Sequence, residues 1–168
     1  MLIRRPRPLP IRFLRWLFYL LYNPTKSLYH RIVEPKGGGV KTFVLNDKGQ
    51  VLLLKIGYAH KSWVLPGGSI DRGETPLVAA QRELCEESGL KLDSLQFLCT
   101  KPHTHYKDVQ LHYFCRKTNT KEIVIDNQEI IDGGWFDMGR LPEPRRPKLQ
   151  TEVSMFQAWL ARNKKVRP

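Results

Sequence analysis

Glu83, Glu86 and Glu87 fall within five residues, Glu-Leu-Cys-Glu-Glu, and their neighbours predict that all three ride on one helix. Thr75 is a good N-cap, Pro76 suits the first helical position and Gly89 suits the stop. At 100° per residue the three carboxylates lie within about 100° of one another on the helix surface. Leu77, Val78, Ala80, Leu84 and Cys85 fill the adjoining arc and form the predicted buried stripe. Carboxylates so placed repel one another, and Arg82 is the only basic residue on the helix. A hard divalent cation such as Mg²⁺ answers that charge with oxygen ligands, and needs few protein carboxylates when substrate phosphates complete its shell. A solvated acidic face is the competing reading of the three glutamates alone. The loop Pro66-Gly67-Gly68, continuing through Gly73-Glu74, brings backbone oxygens and a further carboxylate toward the same helix.

The stretch from Gly68 to Leu90, GSIDRGETPLVAAQRELCEESGL, resembles the Nudix box. Gly68, Glu74, Arg82, Glu83, Leu84, Glu86, Glu87, Gly89 and Leu90 fill every defined position of that motif. The resemblance implies an α/β (α+β) fold, an α-β-α sandwich around a mixed sheet. It implies a pyrophosphohydrolase that uses Mg²⁺, or Mn²⁺, while water attacks a phosphorus of a nucleotide diphosphate-type small molecule. It further implies that Glu83 and Glu87 are metal ligands, Glu86 a ligand or a partner through water, and the carbonyl of Gly67 an additional ligand. Arg82 would pair with a box carboxylate, and Glu74 would contact metal-bound water or brace the helix. The general base is left between a box glutamate and Glu129, a carboxylate six residues before Trp135 that could also ligate metal. Tyr58, Trp63 and Tyr106 could stack on a base, Trp63 reading equally as a core residue, and His103 and His105 could contact substrate or simply face solvent. A nucleoside triphosphate, a dinucleoside polyphosphate and an ADP-ribose-like molecule all remain open as the substrate.

The elements that must position these residues follow from local patterns. Val40–Leu45 and Val51–Ile56 read as strands joined by Asn46-Asp47-Lys48-Gly49, a hairpin signature. Trp63-Val64-Leu65 is a short extended piece before Pro66. Leu95–Thr100, Gln110–Arg116, Glu122–Ile125 and Trp135-Phe136 read as later strands. Leu149, Val153, Phe156 and Leu160 recur at helical spacing and predict an amphipathic closing helix.

The 168 residues suffice for one domain with extensions, read as residues 37–160. The net charge of +12 is concentrated at the ends. Residues 1–36 carry eight Lys/Arg against Glu34 alone, and residues 139–168 carry eight against Glu143 and Glu152. Such basic arms, the N-terminal extension 1–36 and a tail at 161–168, suit RNA or an anionic membrane surface. Phe13–Tyr22 (FLRWLFYLLY) predicts a helix in that extension, about half the length a spanning helix needs. It would lie on a membrane interface, cover its own domain, or make a homodimer. Cys85, Cys99 and Cys115 form no Cys-x-x-Cys pair and no even framework, which points to a reducing, cytoplasmic setting, with a peripheral position at the inner membrane face as the other reading.

Overall fold

A computed structural model describes residues 2–4, 38–57, 61–103, 109–120, 122–125 and 129–163. In chain order these form β1 (Leu2–Arg4), β2 (Gly39–Leu45), β3 (Val51–Ile56), β4 (Trp63–Val64), α1 (Pro76–Ser88), β5 (Gln96–Pro102), β6 (Gln110–Lys117), β7 (Ile123–Ile125), β8 (Ile130–Phe136) and α2 (Pro147–Arg162).

The two central strands are apolar along nearly their whole length because both of their faces are covered. On β2 and β3, alternation sends Val40, Val44, Leu52, Leu54 and Ile56 to one side, where Ala79, Ala80 and Leu84 of α1 join them. Phe43, Leu45, Val51 and Leu53 point to the other side, against Leu149, Val153, Phe156 and Leu160 of α2. There the Phe43 and Phe156 rings stack with centroids 4.2 Å apart. The expected sandwich of helix, mixed sheet and helix is thus the observed one.

Strand order is β4-β3-β2-β6-β5, with β8 also pairing β3. β2 and β6 run parallel, whereas the β2–β3, β3–β8 and β5–β6 pairs are antiparallel. The β2–β3 turn is built on Asn46, whose Oδ1 accepts from the amides of Lys48 (3.0 Å) and Gln50 (2.9 Å). Gly49 completes that turn at φ 73°.

Several expectations need correction. The buried residues of α1 are Ala79, Ala80, Leu84 and Ser88, while Leu77 and Val78 are 40% and 50% exposed. The helix is therefore rotated about its axis, turning Glu83 and Glu87 toward the protein and the Val78 side toward solvent. The Gly67 amide donating to Glu87 and Arg82 donating to Glu83 and to the Ser69 carbonyl hold the helix in this rotation, and a count of apolar residues is blind to them. Gly133-Gly134 hid the early part of β8, which begins at Ile130 rather than Trp135. α2 continues through Arg162, two residues into the segment read as a tail. The extension opens with a strand that the sequence did not announce: β1 lies parallel to β7, Leu2 opposite Ile123 and Arg4 opposite Ile125. The expected helix at Phe13–Tyr22 and most of both basic arms lie outside the described residues.

Thr42 is fully buried on β2, and its Oγ1 finds no hydrogen-bond partner among the described residues. A buried hydroxyl without a partner costs about 1–3 kcal/mol, and valine has nearly the same shape. Thr42→Val is therefore expected to stabilise the fold by about 1 kcal/mol, read as a higher urea midpoint at unchanged slope.

Candidate active site

The site begins with a loop that could not be built without glycine. Gly67 adopts φ +138°, and a Cβ there would come within 2.1 Å of the Val40 carbonyl oxygen. At Gly68 an added Cβ would fall 2.5 Å from Oε1 of Glu83, in the space that the carboxylate occupies. The loop is held to β2 by the Val40 amide donating to the Gly68 carbonyl (2.9 Å) and the Thr42 amide to the Pro66 carbonyl (3.0 Å). So seated, the Gly67 amide donates to Oε2 of Glu87 across 2.8 Å.

Helix α1 starts at Thr75, whose hydroxyl accepts from the Val78 amide, and ends at Gly89 in the left-handed conformation at φ 72°. These caps set the register that lines the carboxylates along the loop. Between them, Arg82 gathers its neighbours. Its Nε and one terminal nitrogen donate to the two carboxylate oxygens of Glu74, each at 2.9 Å. The other terminal nitrogen donates to Glu83 (2.8 Å) and Glu86 (3.2 Å). A further bond reaches the Ser69 carbonyl at 3.0 Å. A planar, always-charged guanidinium is suited to this fork, and a lysine could not make it. The Arg82 hydrogen bonds hold the Glu74 carboxyl below the usual carboxylate range.

Burial acts in the other direction deeper in. Desolvation pushes the Glu83 carboxyl up, with Arg82 opposing, and it pushes Glu87 up to about 7. The charges of Glu83 and Glu129 raise Glu87 further, while Lys41 and the Gly67 amide favour its ionised form. The Lys41 ammonium donates to the Leu65 and Gly67 carbonyls, at 3.2 Å each. Beside these groups opens a cleft of about 260 Å³, walled by Lys41, Ile56, Val64, the Gly67–Ser69 loop, Glu87, His103, Leu111 and Arg146.

Glu74, Arg82, Glu83 and Glu86 thus share one network, and Glu87, on the same helix, sits beside it bonded to the loop. Glu129, at the start of β8, accepts the Gly57 amide on its carbonyl (2.7 Å), and its charge is felt at Glu87. His103 lines the cleft, its amide bonded to the Val109 carbonyl at 2.7 Å. Trp63 does not belong there. It is 7% exposed, packed edge-on to Phe136 and covered by the Lys55 ammonium, so its ring serves the core rather than a substrate. Tyr58, His105 and Tyr106 lie outside the described residues. Lys41 and Arg146 were missed. For Lys41 there was a signal, a lone charge inside the otherwise apolar run Val-Lys-Thr-Phe-Val-Leu. Arg146, just before α2, carried none.

Among the described residues no three His, Cys, Asp or Glu side chains converge tightly enough to cage an ion by themselves. What the site offers instead is an all-oxygen donor set, Glu83, Glu87 and the Gly67 carbonyl, open to a cleft. That chemistry fits a hard divalent ion whose remaining ligands come from water or phosphate.

Comparison with known proteins agrees with this geometry. A family model of the NUDIX domain matches residues 35–157. A Bacillus subtilis (strain 168) protein assigned as an 8-oxo-dGTP diphosphatase is 31% identical over 121 residues, 70% of this chain and 78% of that protein. An RNA pyrophosphohydrolase of Ruthia magnifica is 32% identical over 117 residues, 69% of this chain and 62% of that protein. The crystal structure of a MutT NUDIX hydrolase from Burkholderia pseudomallei superposes with a TM-score of 0.62 at 25% identity, covering 71% of this chain and 96% of that one. The chain belongs to the Nudix family, hydrolases of phosphoric anhydrides that generally use divalent metal ions. No helix among the described residues is long and apolar enough to cross a membrane.

The raised Glu87 carboxyl has a definite sign in stability. Folded, it titrates near 7; its ordinary value is 4.5. Between those values the folded chain holds a proton that the unfolded chain has released, so stability falls as pH rises from 4.5 to 7 and is level above. In EDTA, Glu87→Gln is expected to match the parent near pH 4 and to exceed it at pH 8 by on the order of 3 kcal/mol. Urea unfolding at the two pH values checks it, and a parent more stable at pH 8 would contradict it.

Proposed function

We propose that this chain is a Mg²⁺-dependent pyrophosphohydrolase, with Mn²⁺ as an alternative metal, that cleaves the pyrophosphate linkage of a nucleotide. The observation that carries this reading is that Glu87, held by the Gly67 amide, lines the wall of a cleft while Glu83, held by Arg82, lies on the same helix one turn before it. Glu83, Glu87 and the Gly67 carbonyl would hold the metal, and Glu86 and Glu129 are the further carboxylates that could join them. When bound, such an ion supplies charge neutralisation to phosphate oxygens in the transition state. Arg82 fixes the Glu83 carboxylate and ties it, through Glu74, to the loop. Glu129 lies outside the box and its field reaches Glu87; we assign it the proton released by the attacking water. Ile56, Val64 and Leu111 give the cleft an apolar floor for the nucleoside, and His103 and Arg146 border it.

A second reading, removal of pyrophosphate from RNA 5′ ends, is favoured by the likeness to the Ruthia magnifica enzyme and by the basic residues at 1–36 and 139–168. Contact between these arms and RNA would weaken steeply with salt. Contact of the N-terminal arm with an anionic membrane, or pairing into a homodimer, is carried by sequence alone.

Incubation with Mg²⁺ and a panel of nucleoside triphosphates, 8-oxo-dGTP, dinucleoside polyphosphates, ADP-ribose and 5′-triphosphate RNA tests both readings. One class is expected to turn over, and Glu87→Gln to lose at least about a hundredfold in kcat. Turnover confined to RNA and suppressed by salt selects the second reading; no turnover of any class removes both. Glu129→Gln is expected to lower kcat by about 10²–10⁴ while Mn²⁺ affinity stays within a few-fold of the parent. Unchanged kcat would move the base into the box.

A further inference from the structure

Lys41 is the one charged residue of β2, between Val40 and Thr42, both fully buried. Its ammonium reaches over the loop to the carbonyl oxygens of Leu65 and Gly67, 3.2 Å from each. Two neutral carbonyls do not offset a half-buried cation. The charges that do are Glu83 and Glu87, both of which lie within its field and are held toward their ionised forms by it. One ammonium thus contacts the carbonyl of the donor set described above and acts on its two carboxylates through space. An apolar residue would satisfy the strand equally well, so sheet formation does not account for lysine here.

We propose that Lys41 is a built-in monovalent occupant of the cation site, holding the Gly67 carbonyl and the Glu83–Glu87 pair together and competing with a divalent ion for them. This rests on the reading of those groups as the metal site. It makes Lys41 a positioning residue that sets how tightly the chain takes metal. Like charges in a partly desolvated site repel strongly, so removing one raises the affinity for the other. The site also keeps its shape before metal arrives, because the ammonium offsets carboxylate repulsion that would otherwise push α1 from the loop.

The test is a Mn²⁺ titration at pH 8, by calorimetry and by the electron paramagnetic resonance of free Mn²⁺, on the parent, Lys41→Met and Glu87→Gln. Each is also melted in EDTA and in saturating Mn²⁺. Lys41→Met is expected to bind Mn²⁺ at least about tenfold more tightly than the parent. It is expected to melt lower in EDTA and to gain more from Mn²⁺. Equal or weaker binding overturns the proposal, even with a lower melt in EDTA, because Lys41 would then only brace the loop. Should Lys41→Met fail to fold, Lys41→Gln carries the same expectation. Glu87→Gln separates the two levels of inference. If it binds Mn²⁺ as the parent does, the metal site itself is misassigned; if it loses binding while Lys41→Met matches the parent, only the role of Lys41 falls.

Discussion

Repulsion among carboxylates is the constraint around which this molecule is arranged. Glu74, Glu83, Glu86 and Glu87 bring four negative charges to one helix and the loop that precedes it. Arg82 answers three of them directly, and the Gly67 amide and Lys41 act on the fourth. Two full positive charges against four negative ones leave a deficit at the mouth of a cleft. A deficit of that kind is a cost in an isolated protein and a source of affinity toward a divalent ion. The acidic side of α1 is turned inward, although it is less apolar than the Leu77–Val78 side, because Arg82 and the Gly67 amide are there to meet its carboxylates.

The sheet makes room for this by coming apart locally. β2 and β3 are paired only where Leu45 meets Val51, next to their turn. Beyond it, β3 goes on to pair β8 and β4, and the Val40 and Thr42 amides on β2 bond instead to carbonyls of the Pro66–Gly68 loop. The loop thereby fills a gap in the sheet rather than lying over it. Only a backbone without Cβ can enter so closely, which ties Gly67 to the architecture and Gly68 to the position of Glu83. The cleft is the space left where two central strands diverge.

What the sequence disclosed, and what it hid, divides along this line. Thr75, Pro76 and Gly89 mark their helix because caps are local, and Asn46 and Gly49 mark their turn for the same reason. Leu149, Val153, Phe156 and Leu160 read correctly because α2 is held by apolar packing, which periodicity measures. The rotation of α1 was illegible for the opposite reason: it is set by polar bonds to the loop before the helix, which apolar periodicity does not register. Trp63 reads from sequence as either a stacking platform or a core residue, and Phe136 and Lys55 packed against it decide for the core. β1 was hidden by its shortness, and its three residues become a strand only because β7 offers an edge.

Lys41 and Glu87 show why such a site resists being read as a list of conserved-looking letters. Alone, a lysine on a buried strand is an anomaly, and a glutamate pushed to about 7 by desolvation is a cost. Together, each reduces the penalty of the other, and neither is neutralised completely. The residual cost keeps the group responsive, since an ion or a proton arriving there meets free energy that folding has not already discharged. A core that satisfied every polar group would be more stable and would bind nothing. In this chain the charge imbalance at the site rests on two carboxylates and one ammonium beside the loop, while the two apolar layers around Phe43 and Leu54 supply the rigidity that keeps it in place.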